Sequence, residues 1–371
     1  MRILHVTDSF LPVLGGIETH VDALTRQQAA AGDDVTVLTA TPATAEGQDL
    51  VDDGPVTIRR MRWAGEGFAA DLESFDIVHA HVSVVSLFAA PLAAMAARRG
   101  VPTVVTVHSL WDGMGPIPAA AAALSTLRRA PVTWTAVSRV AADQVIRRLP
   151  RGTVAHVLPN AVEVAPRVAS PTHGDERPVE LVSTMRLARR KRPLQLLETY
   201  AALRAHCDVP MHLTIVGDGP QRHAVDRTIR TLGLQETVTV TGRVSPSAVL
   251  DVLAASEIYL APAILESFGL AALEARCIGL PVVGRQGTGL ADFVEPGRSG
   301  VLCASDEGIL TAVRDLMLDP DLRHQMSEHN RTTSSSMTWS NAMTRHDAVY
   351  SRATGHALVP APAVLQTVTG G

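Results

Sequence analysis

The order of elements in the first forty residues limits the folds open to this chain. Ile3 to Val6 is a short apolar strand, a loop holds Gly15 and Gly16, a helix is predicted from Glu18 to Ala31, and Val35 to Ala40 is a second strand. Val21, Leu24 and Gln28 share one face of that helix, and Gly32 ends it. Strand, loop, helix and strand in this order imply a parallel sheet with a right-handed crossover. The Gly15-Gly16 pair falls where the C-terminal edge of a sheet meets a helix start, the usual ligand crevice of open α/β folds. It is not a dinucleotide G-x-G-x-x-G fingerprint.

The alternation continues. Strands are expected at Thr57 to Met61, Ile77 to His81, Val101 to Val107 and Trp134 to Val137, with a turn at Gly65-Glu66-Gly67. A helix is expected over Leu87 to Arg98, an Ala-rich one between Pro116 and Pro131, and one that Ser138 caps. Val164 to Pro178 is rich in proline and reads as a linker. The expected division is residues 1–165, a linker at 166–178, a second α/β domain at 179–340 and a tail at 356–371. The tail is rich in Pro, Ala and Gly, carries no recognisable chemistry, and is expected to be poorly ordered.

A chain of 371 residues with 46% hydrophobic and 19% charged residues can build two cores. Its net charge of −4 argues against a general nucleic-acid binder. Cys207, Cys277 and Cys303 have no metal-like spacing and are too few for a disulfide framework, which fits a reducing cytoplasm. The N-terminus lacks the features of a signal peptide, and no apolar run is long enough to span a bilayer. Membrane association through the helix ending in Arg128-Arg129 is weakly supported. His79 and His81 share a strand face, so they have metal-like spacing. No Cys, Asp or third His is seen to complete the set, and His79 is expected to pack or hydrogen-bond at the sheet edge. No D-x-D metal motif is read in the chain.

The second half carries the candidate chemistry. Ile258 to Ala261 is a strand; a turn with Glu266 follows; a helix starting near Gly269 carries Glu274, and Gly279 and Pro281 end it. A helix N-terminus favours anions, and Gly269 allows close approach of a ligand. Glu266 and Glu274 are poor phosphate ligands and good acceptors for sugar hydroxyls. The pattern suits a nucleotide sugar, with its diphosphate at the helix tip. Taken alone, an E-x7-E pair more often means a capping and a solvent-facing glutamate; its surroundings here are more specific. A basic loop, Arg186 to Arg192, follows the strand Val179 to Thr184 and suits a diphosphate.

In these features the chain resembles glycosyltransferase family 4, the retaining GT-B enzymes, over nearly its whole length. The resemblance implies two Rossmann-like α/β/α domains facing across a cleft, with the last helix, near 340–355, packed back on the first. It carries Glu266 over as a contact of the transferred sugar and Glu274 as a ribose ligand. Arg186 and Lys191 match the diphosphate ligands of G-R-L-x-x-x-K-G, with Met185 and Arg192 replacing both glycines. Gly217 lies in the G-D-G-P turn beside the nucleotide, Arg243 and Val244 in the loop holding the base, and Phe268, Gly269 and Leu270 at the helix tip. Gly15 and Gly16 match the N-terminal Gly-rich loop, and His108 matches a strand-end histidine near the donor sugar and acceptor. Thr288 and Asp292 depart from a G-G-x-P-E segment. The implied reaction is metal-independent, cofactor-free, front-face transfer from a UDP- or GDP-sugar to the hydroxyl of a small molecule or glycan. A GT-B epimerase or phosphorylase and a non-catalytic nucleotide-sugar-binding subunit are the alternatives.

Overall fold

The computed structural model describes residues 1–43, 50–61, 71–111, 125–163, 177–333, 335–356 and 365–370. The expected turn at 65–67, most of the Ala-rich helix and most of the linker lie outside them. The chain divides into two compact units, Met1–Ala161 with Met337–Gly371, and Val162–Ser336.

The first unit is built on a nine-stranded sheet. Its strands in chain order are β1 Arg2–Thr7, β2 Asp34–Thr39, β3 Leu50–Asp53, β4 Val56–Arg60, β5 Ile77–Val82, β6 Thr103–Val107, β7 Thr133–Ala136, β8 Val154–Val157 and β15 Thr367–Thr369. They lie in the order β15-β8-β7-β6-β5-β1-β2-β4-β3. The interior pairs are parallel, and only β3 and β15 run antiparallel to their neighbours. Helices α1 Gly16–Ala30, α2 Ala89–Arg98 and α3 Arg139–Ile146 form the crossovers. Ser138 caps α3, its Oγ accepting from Ala141 N at 3.2 Å. The tail departs from expectation. Thr367–Thr369 forms an edge strand because its backbone finds the free edge of β8, pairing Val368 with Ala155.

The second unit holds a parallel six-stranded sheet. Its strands are β9 Val179–Thr184, β10 Met211–Val216, β11 Val238–Gly242, β12 Ile258–Ala261, β13 Val282–Arg285 and β14 Gly300–Cys303, in the order β11-β10-β9-β12-β13-β14. Its helices are α4 Pro193–His206, α5 Arg222–Thr231, α6 Pro246–Ala254, α7 Leu270–Ile278, α8 Asp306–Leu318 and α9 Pro320–Thr332. Strand order reverses between β9 and β12, and in open α/β sheets ligands bind beyond the strand ends at such a point. A core that includes Leu181, Leu197, Tyr200, Leu213, Ile258 and Val283 holds this sheet against its helices.

Helix α10, Trp339–Thr354, belongs to the first unit. Val349 and Tyr350 pack with Ile3, Ile77 and Val104 on one face of the sheet. The three cysteines are free thiols. Among the described residues, no helix is long and apolar enough to cross a membrane.

Candidate active site

The second unit gathers its candidate residues at the reversal between β9 and β12. Gly269 stands at the N-cap of α7 with φ 99°, a left-handed conformation that glycine adopts without strain. Gly269 offers no side-chain cap to this end. A Cβ on Gly269 would lie 2.7 Å from Leu290 Cδ2. Gly289 N donates to Glu266 O at 2.8 Å and holds the turn from the other side. Gly279 closes the helix with φ 114°.

The loops after β9, β10 and β11 are laced together. Leu187 N donates to Asp218 O at 3.0 Å, Gln221 N to Leu187 O at 2.8 Å, and Gly217 N to Gly242 O at 3.0 Å. Gly217 has φ 132°, and a Cβ there would lie 2.0 Å from Met185 O. That contact places the G-D-G-P turn against the Arg186 segment. The bridge from Gly217 to Gly242 brings the Arg243-Val244 loop beside it.

Lys191 makes an ion pair with Glu266, its Nζ donating to Oε2. The basic loop after β9 and the turn after β12 therefore meet. Arg186, Arg189 and Arg190 are exposed. Arg192 turns away; its guanidinium reaches Asp306 and Pro262 O. Burial pushes the Glu274 carboxyl up to about 7. Tyr259 was not singled out from the sequence, yet it underlies this site. Its hydroxyl donates to Thr184 O at 3.2 Å, and its pKa is raised by burial and further by Glu266 and Glu274. Its only sequence signal was an aromatic residue in β12, which reads as core.

Thr288 is buried and its hydroxyl donates to Arg285 O at 2.7 Å. Asp319-Pro320-Asp321 does have D-x-D spacing, contrary to the sequence reading. Asp319 Oδ1 accepts from Leu322 N at 2.9 Å, so this triplet starts α9 as a helix cap.

Gly15, Gly16 and His108 belong to the first unit, so sequence distance separates them from the residues above. Gly15 precedes α1 in an extended conformation, and no side chain caps that helix either. The Asp8 carboxylate accepts from Phe88 N at 2.8 Å and Ala89 N at 3.3 Å, tying the loop after β1 to the start of α2. His108 is buried just past β6, and its Nε2 lies 3.0 Å from His81 Nδ1.

Here the structure corrects two expectations. A third histidine does complete a set, because parallel pairing of β1 with β5 puts His5 beside His79. His79 lies at no edge, since its strand has β1 on one side and β6 on the other. The expected hydrogen bonding is present, to Tyr350 Oη at 2.8 Å and Thr106 Oγ1 at 2.7 Å. Ligand nitrogens of His5, His79 and His81 lie within 4.8 Å of one another, the only such grouping among the described residues. Burial lowers all of these histidines, His5 and His108 to about 3, and so favours their neutral forms.

The chain is similar to known proteins. A family model described as glycosyl transferases group 1 matches residues 170–333, and one described as Glycosyltransferase Family 4 matches residues 14–166. The chain is 28% identical to a glycogen synthase of Mycobacterium tuberculosis over 395 aligned residues, 94% of each chain. It is 33% identical to a D-inositol 3-phosphate glycosyltransferase of Gordonia bronchialis over 152 residues, 39% of this chain and 33% of that one. The solved structure of Anabaena HepE in complex with UDP and glucose superposes with a TM-score of 0.75 at 17% identity, covering 95% of this chain and 98% of that one. That likeness shows the GT-B fold.

Proposed function

The chain belongs to glycosyltransferase family 4, and on that premise we propose that it moves a sugar from a nucleotide diphosphate donor to an acceptor hydroxyl with retention at the anomeric carbon. The observation that carries this reading is the meeting of Lys191 with Glu266 beside the uncapped N-terminus of α7. One cation, one carboxylate and a helix N-terminus without a side-chain cap suit a sugar diphosphate.

In this reading Arg186, Lys191 and the amides following Gly269 stabilise the charge that grows on the leaving diphosphate. Preorganised donors of this kind are often the largest catalytic term. Lys191 would exchange its carboxylate partner for phosphate oxygen, which releases Glu266 to accept from sugar hydroxyls. Glu274 would accept from the ribose, and the Gly217 and Arg243-Val244 loops would flank the nucleoside. These cations would serve where other transferases use a metal, with no cofactor. The absence of a side chain assigned as nucleophile favours front-face attack by the acceptor hydroxyl, with His108 positioning the reacting groups. A UDP-sugar is the donor proposed first. It fits the UDP of the Anabaena structure, and UDP-GlcNAc is the first candidate among such donors.

The test is a panel of UDP- and GDP-sugars scored by thermal shift and then by donor turnover with candidate acceptors. A specific donor should raise Tm by mass action, and Lys191→Ala should abolish the rise. A panel that moves neither wild type nor variant would refute the reading.

A further inference from the structure

Strand order reverses in the first unit as well. From β1 the chain crosses to β2 on one side and from β5 to β6 on the other, while β1 and β5 lie side by side. The loops that leave the C-terminal ends of β1 and β5 therefore flank one crevice, where open α/β sheets take ligands. Gly15 closes the first of these loops, at the start of α1. The two loops are tied together, because the Asp8 carboxylate accepts from Phe88 N and Ala89 N.

These loops show aliphatic groups to solvent. Val13 and Leu14 in the first are 43% and 56% exposed, and Val85 and Leu87 in the second are 44% and 60% exposed. Half of the exposed large hydrophobic side chains among the described residues are these four. Polar groups are used to hold the loops instead. Ser83 Oγ donates to Val85 O at 3.1 Å, Ser86 Oγ accepts from Ser83 N at 3.0 Å, and Arg60 Nη1 donates to Leu11 O at 2.7 Å. Aliphatic side chains exposed singly are ordinary; grouped around a crevice they suit an apolar ligand. The charged residues within 8–18 and 83–88 are Asp8 and Glu18, both acidic. Glu18 lies in the first turn of α1 and leans on Gly15, where a Cβ would meet its Oε2. Its carboxylate already answers the positive end of that helix, so a further anion gains little there and is repelled.

We propose that Val13, Leu14, Val85 and Leu87 select the acceptor, and that the acceptor is an uncharged amphiphile, a hydroxyl carried on a hydrophobic body that lies on these four side chains. The proposal rests on the reading of the chain as a transferase. Alkyl and polycyclic alcohols and their glycosides belong to this class; phosphorylated polyols and anionic glycans fall outside it. A second copy of the chain fits poorly, because stable interfaces engage about 20 residues a side. An anionic bilayer fits poorly too, because neither loop brings a Lys or Arg of its own.

The experiment is a binding series on the full-length chain with n-alkyl glucosides from ethyl to octyl, kept below micelle formation and measured with and without UDP. Kd should fall with each added methylene, at most roughly fourfold per step, and level off once the crevice is covered. Leu14→Ser and Leu87→Ser should each flatten the series. Leu318→Ser truncates an equally exposed leucine at the end of α8 and should leave the series as in wild type. Leu87→Ser carries the test if Leu14→Ser, next to Gly15, disturbs the fold. Affinity independent of chain length, or tighter binding of glucose 6-phosphate than of octyl glucoside, would overturn the proposal. So would equal flattening by all three variants. A wild-type dimer that Leu87→Ser dissociates would assign the patch to a second copy, and sedimentation with phosphatidylcholine vesicles in preference to the dissolved glucosides would assign it to a membrane; either result overturns the proposal. Chain-length-dependent binding in a protein that binds no nucleotide sugar would overturn the transferase reading and leave the apolar crevice standing. A bound nucleotide sugar with no chain-length dependence would do the reverse.

Discussion

Arg192 sits in the left-handed region at φ 58° and forks its guanidinium onto Asp306, Nη1 to Oδ1 at 2.8 Å and Nη2 to Oδ2 at 2.6 Å. Among the described residues it is the one non-glycine residue with positive φ. The matching family pattern has glycine there, so the cost of the conformation is set against a paired charge. The Arg192 hydrogen bond holds the Asp306 carboxyl below its usual range. The stability it contributes is present above the ordinary aspartate range and is lost as pH falls through the lowered pKa. Arg192→Ala keeps the strain and loses the pair, whereas Arg192→Gly loses both. Urea denaturation should find the alanine variant less stable than the glycine variant by about 1 kcal/mol. Equal stabilities would mean that the backbone is unstrained.

Lys191 is expected to act in the transition state. Its truncation to alanine should lower kcat by roughly a hundredfold to a thousandfold, as loss of one preorganised charge does elsewhere. Lys191→Arg should keep part of the rate. Release of the nucleoside diphosphate, followed continuously, makes the comparison. Full activity in the alanine variant would assign Lys191 to the surface.

Burial raises Glu274 to about 7. The folded state therefore holds a proton that the unfolded chain gives up near its ordinary pKa. Stability on this account is highest below about pH 4.5, falls as pH rises, and levels off above about 7. Glu274→Gln removes the dependence. The variant should gain about 2–3 kcal/mol relative to wild type between about pH 5 and pH 8, while donor affinity falls. Parallel stability curves across that window would contradict the buried position.

Gly217 and Gly287 separate close approach from backbone conformation. Both have positive φ, but a Cβ on Gly217 meets Met185 O at 2.0 Å and one on Gly287 meets nothing within 4 Å. Gly287→Ala should cost about 1 kcal/mol. Gly217→Ala should cost at least about 3 kcal/mol and weaken donor binding, because the Arg186 segment must move. Chemical denaturation and nucleotide titration of the two variants give the answer.

Much of the fold was legible from the chain alone. The strands expected at Val179 to Thr184, Met211 to Val216 and Ile258 to Ala261 match observed strands to the residue, because β-branched and apolar residues bound for the core recur through each, even where Glu180 and His212 interrupt them. Gly269 and Gly279 bracket a helix because only glycine takes both left-handed positions easily. The third histidine, Tyr350 and the tail strand were not legible. His5 bonds across 76 residues to His81, and Tyr350 across 271 residues to His79. Val368 finds its partner only once the sheet has left β8 with an open edge.

The sequence by itself determined the alternation of strand and helix, the two sheets, and which loops carry cations, glycines and carboxylates. Local periodicity and backbone preference act over a few residues, and a linear reading can count them. The tertiary structure decided which of those loops touch, that Lys191 pairs with Glu266, and that His108, His81 and His5 join in one hydrogen-bonded run. Those outcomes depend on strand order and register, which are set when the whole sheet assembles and are written in no single segment.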